Sequence, residues 1–321
     1  MMYKLLTIAK NTFVETLRQP VYAVIIAAAL LLFLISPALS MYTMDDDNKL
    51  LRELGLSTLF LTSLFVAIFS AAGAVSIEME NKTILTVLTK PVQRPIFILA
   101  KFLGVVGAVA LAHYLCTIAL LMTIRHGVLS TASDTHDWTV VGSAAAVAVA
   151  TVLLGAFFNY AYDWKFSSTA VVLAAIFGTL TLIFLALIDR DWQFDPAKNG
   201  IHRLDVYASI LLFLGALVIA AIAVAISSRF SMVVTLSTCI GVFLLGLISD
   251  WAFGRFADTH LWARIGRFLI PNLQVFWISD AIYEGSVVPF RYILISASYA
   301  VCYTVGILAL AVALFQRRQL A

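Results

Sequence analysis

EMENKTILTVLTKPVQRPIFILAKFLG, residues 78–104, lies between two strongly apolar runs and is itself short, charged and patterned as a helix. Asn81 suits a helix cap, and Ile84, Leu85 and Leu88 share one face at helical spacing. Pro91 then removes the backbone donor that a continuing helix needs. The pattern predicts a helix over residues 81–90 of about two turns, roughly 12 Å at ~1.5 Å per residue. Crossing a bilayer takes about 20 apolar residues. This helix is therefore expected to protrude, presenting a small apolar ridge rimmed by Glu78, Glu80, Lys82, Lys90 and Arg94 to something outside the membrane.

On either side of that stretch the chain is built for lipid. Of its 321 residues 62% are hydrophobic and 12% charged, against roughly 45–50% and 25% in soluble domains. The fold class this implies is an all-α integral membrane protein, a polytopic helical bundle. A net charge of +3, dispersed among apolar runs, gives no nucleic-acid footprint. Cys116, Cys239 and Cys302 each fall inside an apolar run and read as small core residues, neither a disulfide frame nor a metal set.

Eight spans are expected, over residues 20–41, 56–77, 96–124, 139–161, 168–188, 205–226, 231–251 and 290–315. Before the first, residues 1–19 form an amphipathic helix, with Leu5, Leu6, Ala9, Phe13 and Leu17 on one side and Lys4, Thr7, Asn11, Glu15 and Arg18 on the other. Such a helix lies flat at the membrane surface. These first residues lack the apolar core and cleavage site of a signal peptide, so the first span is expected to stay as an anchor. Lys101, one turn into the third span, is expected to snorkel back to water. In the Ala- and Gly-rich fourth span, Gly142, Ala146 and Gly155 are expected to serve helix packing. The sixth and seventh spans are joined so tightly that they form a hairpin with Arg229 at its tip. Residues 252–289 hold seven aromatic rings but no run of span length, which predicts short helices at an outer interface.

At residues 78–104 the chain resembles the ABC-2 type permeases, membrane subunits of ATP-binding-cassette exporters. A Glu-rich end of the second span, a short coupling helix, a Pro-Val pair, an Arg, a Lys and a Gly mark that family. Glu78, Glu80, Lys82, Pro91, Val92, Arg94, Lys101 and Gly104 stand at matching places, with Pro95 a less usual neighbour for the Arg. Residues 12–18 (TFVETLR) are similar to the end of the family's elbow helix, and Phe315 with Arg317 and Arg318 to the close of its last span. The resemblance implies an elbow at 1–19, a permease domain at 20–321 and a coupling helix at 81–90 docked in a separate ATPase. Glu78, Glu80, Asn81, Lys82, Ile84, Leu85, Leu88, Pro91 and Arg94 would form that contact. It also implies two ATPase copies, a second permease copy or related permease, and ATP with magnesium held on the ATPase, with no cofactor in this chain. The usual family domain has six spans, so residues 139–189 look like an inserted hairpin.

Orientation is weakly marked. The 21 Lys and Arg residues divide almost evenly between the two faces, whereas most of the 18 acids fall on one. The resemblance places the coupling helix, and with it both termini, in the cytoplasm of a cell membrane.

Several chemistries find no support. The chain contains no Gly-Lys pair, hence no phosphate-cradling G-x-x-x-x-G-K loop, and is expected to receive work from ATP hydrolysed elsewhere. No Asp or Glu lies in the middle of a span, which disfavours an ion-coupled carrier. His113, the one ionisable side chain well inside a span, reads as a histidine hydrogen-bonded to a neighbouring helix. His136 and Asp137 form a pair without a nucleophile, and the remaining histidines lack metal-ligand spacing. The alternatives to an ABC-2 permease are a secondary transporter or channel acting alone, and a scaffold without transport. The transported molecule is not encoded in any recognisable motif.

Overall fold

Among the described residues, seven helices are long and apolar enough to cross a bilayer, and an eighth candidate is a pair bent by 72°. The computed structural model describes residues 2–40, 47–76, 93–129, 135–196, 199, 201–283 and 286–316. Helix α1 (Met2–Arg18) leads into α2 (Pro20–Ser40) and α3 (Asp47–Ala71), which continues as a π-helical turn, Ala72–Ser76. Next come α4 (Arg94–His126), the hairpin of α5 (Trp138–Tyr162) and α6 (Phe166–Leu187), and α7 (Arg203–Ser227). The chain then runs through α8 (Met232–Leu247), α9 (Ser249–Ala252), α10 (Leu261–Leu269), α11 (Ser279–Tyr283) and α12 (Phe290–Gln316).

Helices α3, α4 and α7 pack on one another and form the centre, while α2, α6 and α12 lie around them. The apolar windows of the three central spans are 61–78% buried, against 17–28% for α2, α5, α6 and α12. Lipid covers apolar side chains as well as protein does, so exposed Leu and Val on the outer helices are at no disadvantage. Helix α5 touches little except α6. Its Gly155 meets Phe166, as a packing role requires, but Gly142 and Ala146 face outward and Gly142 has no neighbour across from it.

The second span is longer than the apolar run predicts. Its helix begins at Asp47, nine residues ahead of the expected start at residue 56, and reaches Val75. Leu51 and Gly55 are buried there, and the Arg52 guanidinium lies 3.5 Å from Asp205 at the start of α7. At ~1.5 Å per residue, this helix and α4 each exceed the roughly 30 Å hydrocarbon layer by a few turns. Their charged ends therefore stand in the headgroup region or in water.

The seventh span also departs from expectation. The span expected over residues 231–251 is made of two helices, α8 and α9, with a break at Ile248. Such a break frees carbonyls that lipid cannot satisfy, and one of them is met from elsewhere: Leu273 N–H donates to the Gly246 carbonyl at 3.0 Å. A side chain at 246 would collide with the Pro271 carbonyl and Leu273, so glycine permits this approach. Residues 252–289 do form short helices, as the ring-rich sequence predicts. They do not simply lie flat, because Leu273 and Phe276 are fully buried against the bundle. Three tyrosines of α12 hold the returning chain: Tyr292 and Tyr303 donate to the carbonyls of Val275 and Leu269, and Tyr299 accepts from Asn272 N–H.

Candidate functional site

The predicted coupling residues Glu78, Glu80, Asn81, Lys82, Ile84, Leu85, Leu88 and Pro91 lie outside the described residues, as does Val92. Arg94 opens α4, and Pro95 sits in the first helical turn, where a missing N–H costs nothing. What can be described is the frame that holds the two ends of this segment. The π turn after α3 carries fully buried Val75, and the first turns of α4 carry buried Ile96, Phe97 and Ile98. Both ends are thus seated in the packed centre.

Helix α1 clamps this frame. Gly104 is the place of closest approach: a Cβ there would lie 2.6 Å from the Ala9 carbonyl and 2.6 Å from the Thr12 Cβ. The buried face of α1 therefore carries Thr12, Thr16 and Leu17, with Phe13 against Gly107, while Leu6 points outward. The polar side read from the sequence, Lys4, Thr7, Asn11, Glu15 and Arg18, is exposed, and of the apolar side Ala9, Phe13 and Leu17 pack inward, together with Thr12 and Thr16. Small and polar residues win the inner face because the partner is another helix, and helix backbones approach closely only across small groups.

Lys101 does not snorkel. It is 4% exposed, and its ammonium lies 5.7 Å from the centre of the Phe97 ring. Phe97 in turn stacks on Phe315 at 5.8 Å, which ties the start of α4 to the end of α12. Arg229, at the tip between α7 and α8 as expected, donates to the Leu314 carbonyl of the same helix end. Thus the residues by which this chain resembles the ABC-2 permeases, where described, converge at the end of the bundle that carries α1.

His113 is held as the sequence suggests. Its Nε2 lies 3.0 Å from the Ser209 carbonyl and its Nδ1 2.7 Å from the Ser63 hydroxyl, joining α4 to α7 and α3. Thr117 extends the set through Ser209, 2.7 Å away. Both ring nitrogens are occupied by fixed partners, which is the arrangement of a structural link.

The opposite end of the bundle holds a cluster that sequence reasoning missed. Asp137 is 1% exposed, caps α5 by accepting from the N–H groups of Thr139 and Val140, and lies 3.6 Å from both Arg125 and Arg190. Arg125 also donates to the Ile188 carbonyl, and Arg190 to that of His126. The Asp137 carboxylate is thus engaged as a helix cap and counter-ion, while the His136 ring faces that of His126. The signal lay in an Asp directly before an apolar helix, but its two arginines are 12 and 53 residues away.

Comparison with known proteins gives one family match. The model of the family described as ABC-2 family transporter protein matches residues 22–236, from α2 through the start of α8. No curated protein matches the chain. A match over two thirds of the chain, on a polytopic helical bundle, means that the protein belongs to the ABC-2 family of transporter proteins and is a multi-pass membrane permease of the ABC class.

Proposed function

We propose that this permease is driven by a separate ATPase that docks on residues 81–90, and that it exports its substrate across the cell membrane by alternating access. Two ATPase copies hold the ATP and magnesium, and a second permease copy or related permease completes the path. Both termini then lie on the ATPase side, in the cytoplasm. The observation that best supports this reading is where the docking segment is rooted. Residues 77–92 connect α3 to α4, two of the three most buried spans. A push on this segment acts on the centre of the bundle, not on a lipid-facing helix, and packed helices respond by shifting as bodies. Glu78, Glu80 and Asn81 lead into the docking helix, Lys82 and Arg94 flank it with charge, Ile84, Leu85 and Leu88 supply its apolar ridge, and Pro91 ends it.

The test is Leu88→Asp in the permease reconstituted with its ATPase. The expected outcome is normal membrane insertion and retained basal ATP hydrolysis with transport abolished. Unimpaired transport by this variant would remove the docking role.

A further inference from the structure

At the end of the bundle away from α1, a cavity of about 420 Å³ is lined by Asn48 and Arg52 of α3, Arg125 and His126 of α4, and Arg190 of the loop after α6. We propose that it is a binding site for a phosphate ester. No carboxylate belongs to its wall among the described residues. The two that neutralise the arginines stand behind them, Asp205 behind Arg52 and Asp137 between Arg125 and Arg190. Among the described residues, three guanidinium groups thus share two carboxylates in these ion pairs, and the cavity wall itself carries the arginines. Grouping like charges is unfavourable unless an anion is shared among them.

The donors are also in place before any ligand arrives. Arg125 Nη2 is anchored on the Ile188 carbonyl at 2.6 Å and on Thr139, and Arg190 Nη2 on the His126 carbonyl at 3.0 Å. Arg190, whose side chain is half exposed, is held to the same Asp137 carboxylate and keeps part of its guanidinium open to the cavity. A planar guanidinium presents paired N–H groups to phosphate oxygens, and fixing it beforehand reduces the ordering cost of binding. The volume exceeds what a bare phosphate fills and lies within the range of small-molecule sites, about 300–1,000 Å³. An ester with an organic group therefore suits it better than the inorganic ion. The position, at helix ends that outrun the hydrocarbon layer, is where lipid headgroups lie, and a soluble ester reaches it equally from water.

The site does not depend on the ATPase, so its test is separate from that of the docking helix. Purified full-length permease in a neutral maltoside detergent is titrated with sn-glycerol 3-phosphate and, separately, with dioctanoyl phosphatidylglycerol, reading saturable binding by calorimetry. Binding of the lipid alone supports a headgroup site, and binding of the soluble ester alone or of both supports a site open to water. Arg125→Gln is expected to weaken binding at least tenfold. Because that variant also loosens Asp137, Asn48→Asp serves as the second: it keeps every ion pair, adds an anion at the wall, and is expected to weaken binding to a similar extent. Saturable binding of neither probe, or binding unchanged in Asn48→Asp, overturns the proposal.

Discussion

The two ends of the bundle are held by different physics. At the α1 end the helices meet by shape: Gly104 admits the α1 backbone, Phe97 stacks on Phe315, and Val75 and Ile98 are fully buried. At the far end they meet by charge, through Arg52 with Asp205 and Arg125 and Arg190 with Asp137. Close packing tolerates sliding of bodies along one another but not insertion of volume. Ion pairs with buried carboxylates tolerate neither loss of a partner nor separation, because a lone buried charge is costly. The end that receives the proposed push is thus joined by contacts that can shift, and the opposite end by contacts that hold register.

This contrast is breakable in three ways. The largest effect is expected for Asp137→Ala, which strands two guanidinium groups and removes the α5 cap. Unfolding in mixed detergent and SDS micelles should show a loss of about 3–5 kcal/mol, the range for breaking a buried pair. Amide exchange should rise at residues 125–129 and 188–192 while α1 stays protected, and exchange that rises at both ends alike would refute the division. Gly104→Val comes next, at about 1–3 kcal/mol, the usual cost of overfilling a packed contact. Here exchange should rise in α1 and leave the far end unchanged. The smallest effect is expected for Gly142→Val, whose site on α5 is open, so that stability changes by no more than about 0.5 kcal/mol. A larger loss in the assembled transporter, absent from the isolated chain, would mean that another subunit covers this face.

Most of the bundle was legible in the sequence, because a span is a local pattern of about 20 apolar residues and each apolar run here became a helix within a few residues. The two failures are non-local. Residues 47–55 read as a loop because DNKLLREL is charged, yet they are helical, since Arg52 finds Asp205 across the bundle and Leu51 and Gly55 find cover. The break at Ile248 has no proline to announce it, and it exists because a segment 25 residues downstream returns to serve the Gly246 carbonyl. The family was readable from Glu78, Pro91, Arg94, Lys101 and Gly104, but the reason for Gly104 lies in α1, which only the folded chain brings near. The arginine cavity was not legible at all, since its walls come from three stretches with no shared motif.

The tyrosines that grip residues 269–275 carry a mechanical implication. Because Tyr292, Tyr299 and Tyr303 all belong to α12, and Leu273 is bonded to α8, the returning segment bridges two helices that otherwise flank α7. Any gate that parts α8 from α12 has to tear that bridge, whereas one that swings them as a pair leaves it whole. Relative displacement of α8 and α12 would thus strain four hydrogen bonds at once, whereas displacement of the two together against α7 would strain none of them.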